Sequence, residues 1–328
     1  MSKTASSCPP VGLCMFDRPE LTKRVLHSIA EARPRDLFIF ADGPRSPEEA
    51  ELCAQAREIT QRVDWDCNVH YNFSDSNMGT RHRMASGISW VFSQVEEAII
   101  LEDDCIPHPS FFVFCEEMLE RYRTDERVLM VSGANYLERW KQDRQSYHFS
   151  HFGATYGWAT WRRAWRYYDV NMAAWADAEV KARVRDLLAD EEVFAFQASR
   201  FDRRYADTDG KKSWDIPWIF GRLAQAGLAV VPAGNLVTNV GNVPGRGNPP
   251  DHPLSNLRIS PMSFPLRPPS CIGVDREYDR LHVRRIYKWW DLQRQAPSRA
   301  LHQRLARKLR YFSGHFVGSQ KRQDAPGG

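Results

Sequence analysis

A chain of 328 residues with 42% hydrophobic content can bury one large core or two moderate ones, and no stretch approaches the ~20 apolar residues of a membrane span. The seven cysteines are odd in number and scattered, without a Cys-x-x-Cys pair, which excludes zinc-ribbon and thioredoxin chemistry and fits reduced cytosolic thiols. Met1 to Pro10 carries neither a basic leader nor a signal-type apolar run, so a cytoplasmic protein is expected.

In chain order, Val11 to Phe16 reads as a buried strand. A helix from Pro19 to Ile29 follows, opened by its proline, with Leu21, Val25, Leu26 and Ile29 on one face. Leu37 to Ala41 is a second strand closed by the turn Asp42-Gly43-Pro44, and Ser46-Pro47-Glu48-Glu49 opens a helix with acids where its dipole favours them. Asn68 to Tyr71 is a weaker strand. Gly79 to Val95 is helical, carrying Met84, Ile88, Val91 and Phe92 at helical spacing, and the apolar strand Ala98 to Leu101 follows it. Pro109 to Tyr122 is a further helix and Val128 to Val131 a fifth strand. This alternation predicts an α/β fold with a doubly wound, mostly parallel sheet flanked by helices. Residues 1–132 form the expected nucleotide-binding half, 133–275 an aromatic-rich α+β acceptor half, and 276–328 a basic tail.

The strand Ala98 to Leu101 ends in Glu102-Asp103-Asp104. In open α/β sheets the ligand crevice lies at the carboxyl ends of the strands, which is where these acids fall. Three adjacent carboxylates repel unless a cation neutralises them or water solvates them as an acidic turn, and hard oxygen ligands suit Mg²⁺ or Mn²⁺ carrying a diphosphate. At the same edge, Asp17-Arg18-Pro19 follows the first strand, Asp42-Gly43 follows the second, and Asn77-Met78-Gly79 precedes a helix. Asp42 is placed to bind a nucleoside, while Arg18, Arg81, Arg83 and the helix start at Gly79 are candidate diphosphate donors. Asp-Gly and Asn-x-Gly are also ordinary turns, so the signal is their coincidence. Cys105, without a histidine-bearing motif, reads as a small packing residue.

Asp215 lies between Trp214 and Trp218, an apolar setting suited to a general base. It can equally cap a helix beginning at Ile216 or Pro217. Trp158, Trp161 and Trp165, at spacings of three and four, read as one helix face that is core or sugar platform. Val243 to Pro269 is a Pro- and Gly-dense loop carrying Arg246 and His252.

From Leu281 to Arg310 nine Lys and Arg stand against one acid. A helix from Pro297-Ser298 lines up Leu301, Leu305, Leu309 and Phe312. With Tyr287, Trp289 and Trp290 it suits either an anionic membrane surface or docking on the enzyme itself. No nucleic-acid-reading motif accompanies the charge.

The order Asp17-Arg18, Asp42, then Val95 to Asp104 followed by Pro109-Ser110-Phe111-Phe112, resembles the GT-A glycosyltransferases, in particular the N-acetylglucosaminyltransferase I type with its Glu-Asp-Asp motif. Gly157-Trp158 and Trp214-Asp215 echo the same family. The block Tyr156 to Trp165, with Asn235 to Gly241 downstream, resembles bacterial surface-polysaccharide transferases. The resemblance implies a Rossmann-like GT-A fold and an inverting transfer from a nucleotide-diphosphate sugar, of UDP type, to a glycan or glycolipid acceptor. It implies Mn²⁺ or Mg²⁺ held by Asp104, ribose and metal-bound water held by Asp103 and Glu102, the nucleoside by Asp42, and Asp215 as base. In related transferases a loop histidine lies near the diphosphate, which marks His252. The proline after Arg18 and Ile216-Pro217 depart from the animal enzymes, so donor sugar and acceptor do not transfer from them. The alternatives are a sugar-phosphate nucleotidyltransferase, whose early Gly-rich loop is missing from Leu13 to Pro19, and a non-catalytic membrane-associated adaptor.

Overall fold

The structure, a computed structural model, describes residues 8–207, 213–241 and 252–295, with side chains to 286. Its elements are β1 (Val11–Met15), α1 (Pro19–Ala32), β2 (Asp36–Ala41), α2 (Pro47–Ile59), β3 (Asn68–Phe73), α3 (Thr80–Gln94), β4 (Glu97–Glu102), β5 (Cys105–Pro107) and α4 (Pro109–Arg121). These are followed by β6 (Val128–Ser132), β7 (Tyr147–Ser150), β8 (Trp158–Trp161), α5 (Arg162–Trp165), a 3₁₀ turn (Ala173–Ala176), α6 (Ala178–Leu188) and α7 (Glu191–Tyr205). The last four are α8 (Asp215–Ala224), β9 (Leu228–Pro232), β10 (Val237–Asn239) and α9 (Arg276–Gln295). The chain divides into a unit spanning Met1–Arg285 and a second, Ile286–Gly328, of which 296–328 lie outside the described residues. The tail helix expected from Pro297 and the side chains of Tyr287, Trp289 and Trp290 fall there or beyond the described side chains.

Eight strands form one mixed sheet in the order β3-β2-β1-β4-β8-β6-β9-β7, and β10 pairs with β5 in a small antiparallel ladder. The first four strands are parallel, joined by crossover helices as βαβ units require. Beyond β4 the order turns mixed, because β8 enters beside it antiparallel and separates it from β6. Strands from before and after position 132 therefore share one sheet. Ile99 and Leu101 of β4 face one core with helices α1, α2 and α4, while Ala98 and Ile100 face the other with α3 and α8. That two-sided burial explains the uninterrupted apolar run. Helix α3 approaches closely: a Cβ at Gly87 would lie 2.2 Å from the Phe40 ring, so only glycine fits.

The helical reading of Trp158 and Trp161 is corrected as well. Both lie on β8, where an offset of three puts side chains on opposite faces, so Trp161 joins the α4 core and Trp158 the α8 core. Trp158 packs against Trp165, Trp214 and Trp218 with ring centroids 5.6 to 6.1 Å apart. These rings are core, not a sugar platform.

At the start of α9, Tyr278 is buried, and Arg280 and Arg284 pair with Asp190 and Glu192 at 2.7 and 2.8 Å. This first part of the basic segment thus docks on the chain's own surface. Among the described residues no helix is long and apolar enough to cross a membrane.

Candidate active site

Three adjacent parallel strands deliver chemistry to one edge: β1 ends at Phe16-Asp17-Arg18, β2 at Asp42-Gly43, and β4 at Glu102-Asp103-Asp104. The acid tip has its cation, and it is Arg18. The guanidinium donates from Nη1 to Asp104 Oδ2 at 2.8 Å and from Nη2 to Asp103 Oδ1. Pro19 starts α1 directly after it and fixes the backbone from which the side chain leaves. The Phe16 N–H donates to Asp103 Oδ2 at 3.1 Å. Asp104 Oδ1 accepts from Asn239 Nδ2 at 3.0 Å and from the Cys105 thiol at 3.4 Å. The ladder of β10 with β5 sets Asn239 opposite Cys105, and the Val240 N–H donates to the Asp104 carbonyl at 2.9 Å. Gly241 then crosses the pair so closely that a Cβ would lie 2.1 Å from Asp104 Oδ2 and 2.6 Å from Arg18 Nη1.

Burial outweighs the pull of Arg18 at Asp103 and pushes its carboxyl up to about 6. Burial also holds Glu102 well above the usual carboxylate range, with Asp104 adding to the rise and Asp215 contributing. Arg18, although penalised by burial, is held above its ordinary value by Asp103 and Asp104. Burial raises Cys105 far above the usual thiol, in keeping with a packing role.

Asp42 is buried and accepts three backbone N–H groups, from Gly43 and Met78 on Oδ1 and from Gly79 on Oδ2, at 2.8 to 2.9 Å. Asn77 Nδ2 donates to the Gly43 carbonyl at 2.7 Å. Together they clamp the β2 turn to the start of α3. The expectation that Arg81 and Arg83 stand open to a diphosphate is corrected. Arg81 pairs with Asp207, and Arg83 donates to the backbone and side-chain oxygens of Asn72.

Asp215 occupies the first position of α8, and Trp214, not Asp215, is the N-cap. The capping alternative is corrected on that ground. The apolar enclosure is corrected too: Trp214 and Trp218 turn into the core, and the group facing the carboxylate is Arg200 of α7, with Nη2 3.7 Å from Asp215 Oδ2. Asp215 is one-third exposed. Burial, then the charge of Asp215, raises the Tyr136 phenol, whose ring stacks on His282 at 5.0 Å. His252, buried, accepts the Leu254 N–H on Nδ1 at 3.2 Å, while Arg246 lies outside the described residues. Sequence reasoning missed Arg200, Tyr136 and the roles of Asn239 and Gly241. Only the last two had a signal, in the block Asn235 to Gly241.

The fit of a divalent cation can be tested on these donors. All four oxygens of Asp103 and Asp104 accept from protein groups. Among the described residues no three His, Cys, Asp or Glu side chains converge on one metal-sized position. As placed, the tip is filled by the Arg18 guanidinium, and a divalent cation on Asp104 Oδ2 would have to displace it.

No protein-family model matches the chain, and no curated protein matches it. Among solved structures it is similar to the inositol-1-phosphate CTP transferase from T. maritima, at 10% identity and a TM-score of 0.36, over 72% of this chain and 90% of that one. It is also similar to HddC from Yersinia pseudotuberculosis, at 7% identity and a TM-score of 0.29, over 47% of this chain and 77% of that one.

Proposed function

We propose that this chain is an inverting glycosyltransferase of the GT-A kind that moves a sugar from a nucleotide-diphosphate donor, of UDP type, to a hydroxyl of a glycan acceptor. The observation that carries the reading is the Arg18-capped acid tip of β4, delivered to the same sheet edge as the ends of β1 and β2. In this account Asp215 takes the proton of the acceptor hydroxyl as its oxygen bonds to the anomeric carbon. The bond from that carbon to the diphosphate breaks on the opposite face, and the electron pair leaves with the nucleoside diphosphate. Arg200 holds the base in place, and the clamp at Asp42 shapes the nucleoside end.

The T. maritima protein is by name a CTP transferase, and nucleotidyl transfer is the competing outcome of the same experiment. The protein is incubated with UDP- and GDP-sugars and, in parallel, with nucleoside triphosphates and sugar phosphates. Release of nucleoside diphosphate from a sugar nucleotide supports glycosyl transfer. Release of pyrophosphate from a triphosphate supports nucleotidyl transfer instead.

A further inference from the structure

A diphosphate leaving group needs positive charge, and the side chains at this edge differ in which of them a ligand can reach. Asp103 is 2% exposed and Asp104 13%, whereas Arg18 is 23% exposed. The acids therefore lie behind and the cation in front. A guanidinium carries five N–H donors in a planar fork that matches phosphate oxygens. Two point at Asp103 and Asp104, and the other N–H groups have no hydrogen-bond partner among the described residues. A metal on Asp104 Oδ2 would meet both Arg18 Nη1 and the backbone of Gly241, while Oδ1 already accepts from Asn239.

We infer that Arg18, gripped by Asp103 and Asp104, is itself the cation that receives the donor's diphosphate, so that donor binding needs no divalent metal. The two acids are then positioning residues for Arg18. This rests on the glycosyl-transfer reading and reverses the metal role expected from the strand-tip acids. The fork is also fixed before the donor arrives, which lowers the cost of ordering it on binding.

The test uses the full chain and calorimetry with UDP, GDP and CDP as probes, each in EDTA and in Mn²⁺, together with electron paramagnetic resonance of Mn²⁺ alone. The expected result is a nucleoside diphosphate that binds equally in EDTA and in Mn²⁺, and no specific Mn²⁺ signal without nucleotide. Arg18→Lys keeps one charge against the acids, so it remains folded, but it loses the fork. Its nucleotide affinity should fall by at least about tenfold in either medium. Binding that appears only with Mn²⁺ overturns this inference alone, as does an Arg18→Lys protein that binds as wild type. No binding of any nucleotide under either condition overturns the inference and the glycosyl-transfer reading together.

Discussion

Asn239 donates from Nδ2 to Oδ1 of Asp104 at 3.0 Å, a contact that spans 135 residues of chain and ties the end of β10 to the acid tip of β4. With Arg18 on the other oxygen, it fixes the rotation of the Asp104 carboxylate. Asn239→Ala removes one hydrogen bond to a charged group, worth about 1.5 kcal/mol. Turnover of a sugar nucleotide should fall about tenfold, with an unfolding midpoint within a few degrees of wild type. Steady-state kinetics beside a thermal melt checks this, and an unchanged rate would remove Asn239 from the site.

Asp42 calls for a different expectation. Its carboxylate is the acceptor for three backbone N–H groups that join the β2 turn to α3. Asp42→Ala should therefore cost stability, by about 1–3 kcal/mol, as well as nucleotide affinity. Denaturant unfolding measures the first and calorimetry the second. A variant with wild-type stability and weakened binding would make Asp42 a ligand contact and not a clamp.

His148 sets an acid limit on the fold. It is buried, both ring nitrogens are without hydrogen-bond partners among the described residues, and burial pushes its pKa down to about 3. The unfolded histidine, with an ordinary value near 6.5, binds a proton that the folded one does not. Its stabilising contribution is thus complete above about pH 6.5 and is lost as pH falls from there towards 3, by up to about 1.4 kcal/mol per pH unit. His148→Phe should flatten the fall in urea midpoint between about pH 7 and pH 5. Parallel profiles for variant and wild type would contradict the assignment.

Much of this architecture can be read from the residues because burial leaves a period. β4 is apolar on both faces, since helices cover both, and its acids begin where the strand leaves the core. The short strand β8 is illegible for a physical reason: Trp158, Trp161 and Trp165 repeat at helical spacing although two of them sit on opposite faces of a sheet. The acids signal the need for a cation but not its source, because Arg18 reaches Asp104 across 86 residues. Arg200 is one of several arginines on α7, and only the packing of α7 on α8 brings it to Asp215.

Asp215→Asn separates catalysis from binding. Amide and carboxylate have the same shape, yet the amide cannot take a proton, and positioned bases contribute ~10²–10⁴-fold. Turnover should fall by at least about a hundredfold, with nucleotide affinity unchanged. Loss of affinity in step with loss of rate would place Asp215 in donor binding.

The most direct measurement is the configuration of the product. Single displacement with Asp215 as base must invert the anomeric centre, which ¹H nuclear magnetic resonance reads from the anomeric coupling constant of the first product formed from a sugar nucleotide of known configuration. The expected result is an inverted glycoside with one nucleoside diphosphate released per transfer. A product that retains the donor's configuration, or a nucleotide sugar assembled from a triphosphate with pyrophosphate released, would contradict it.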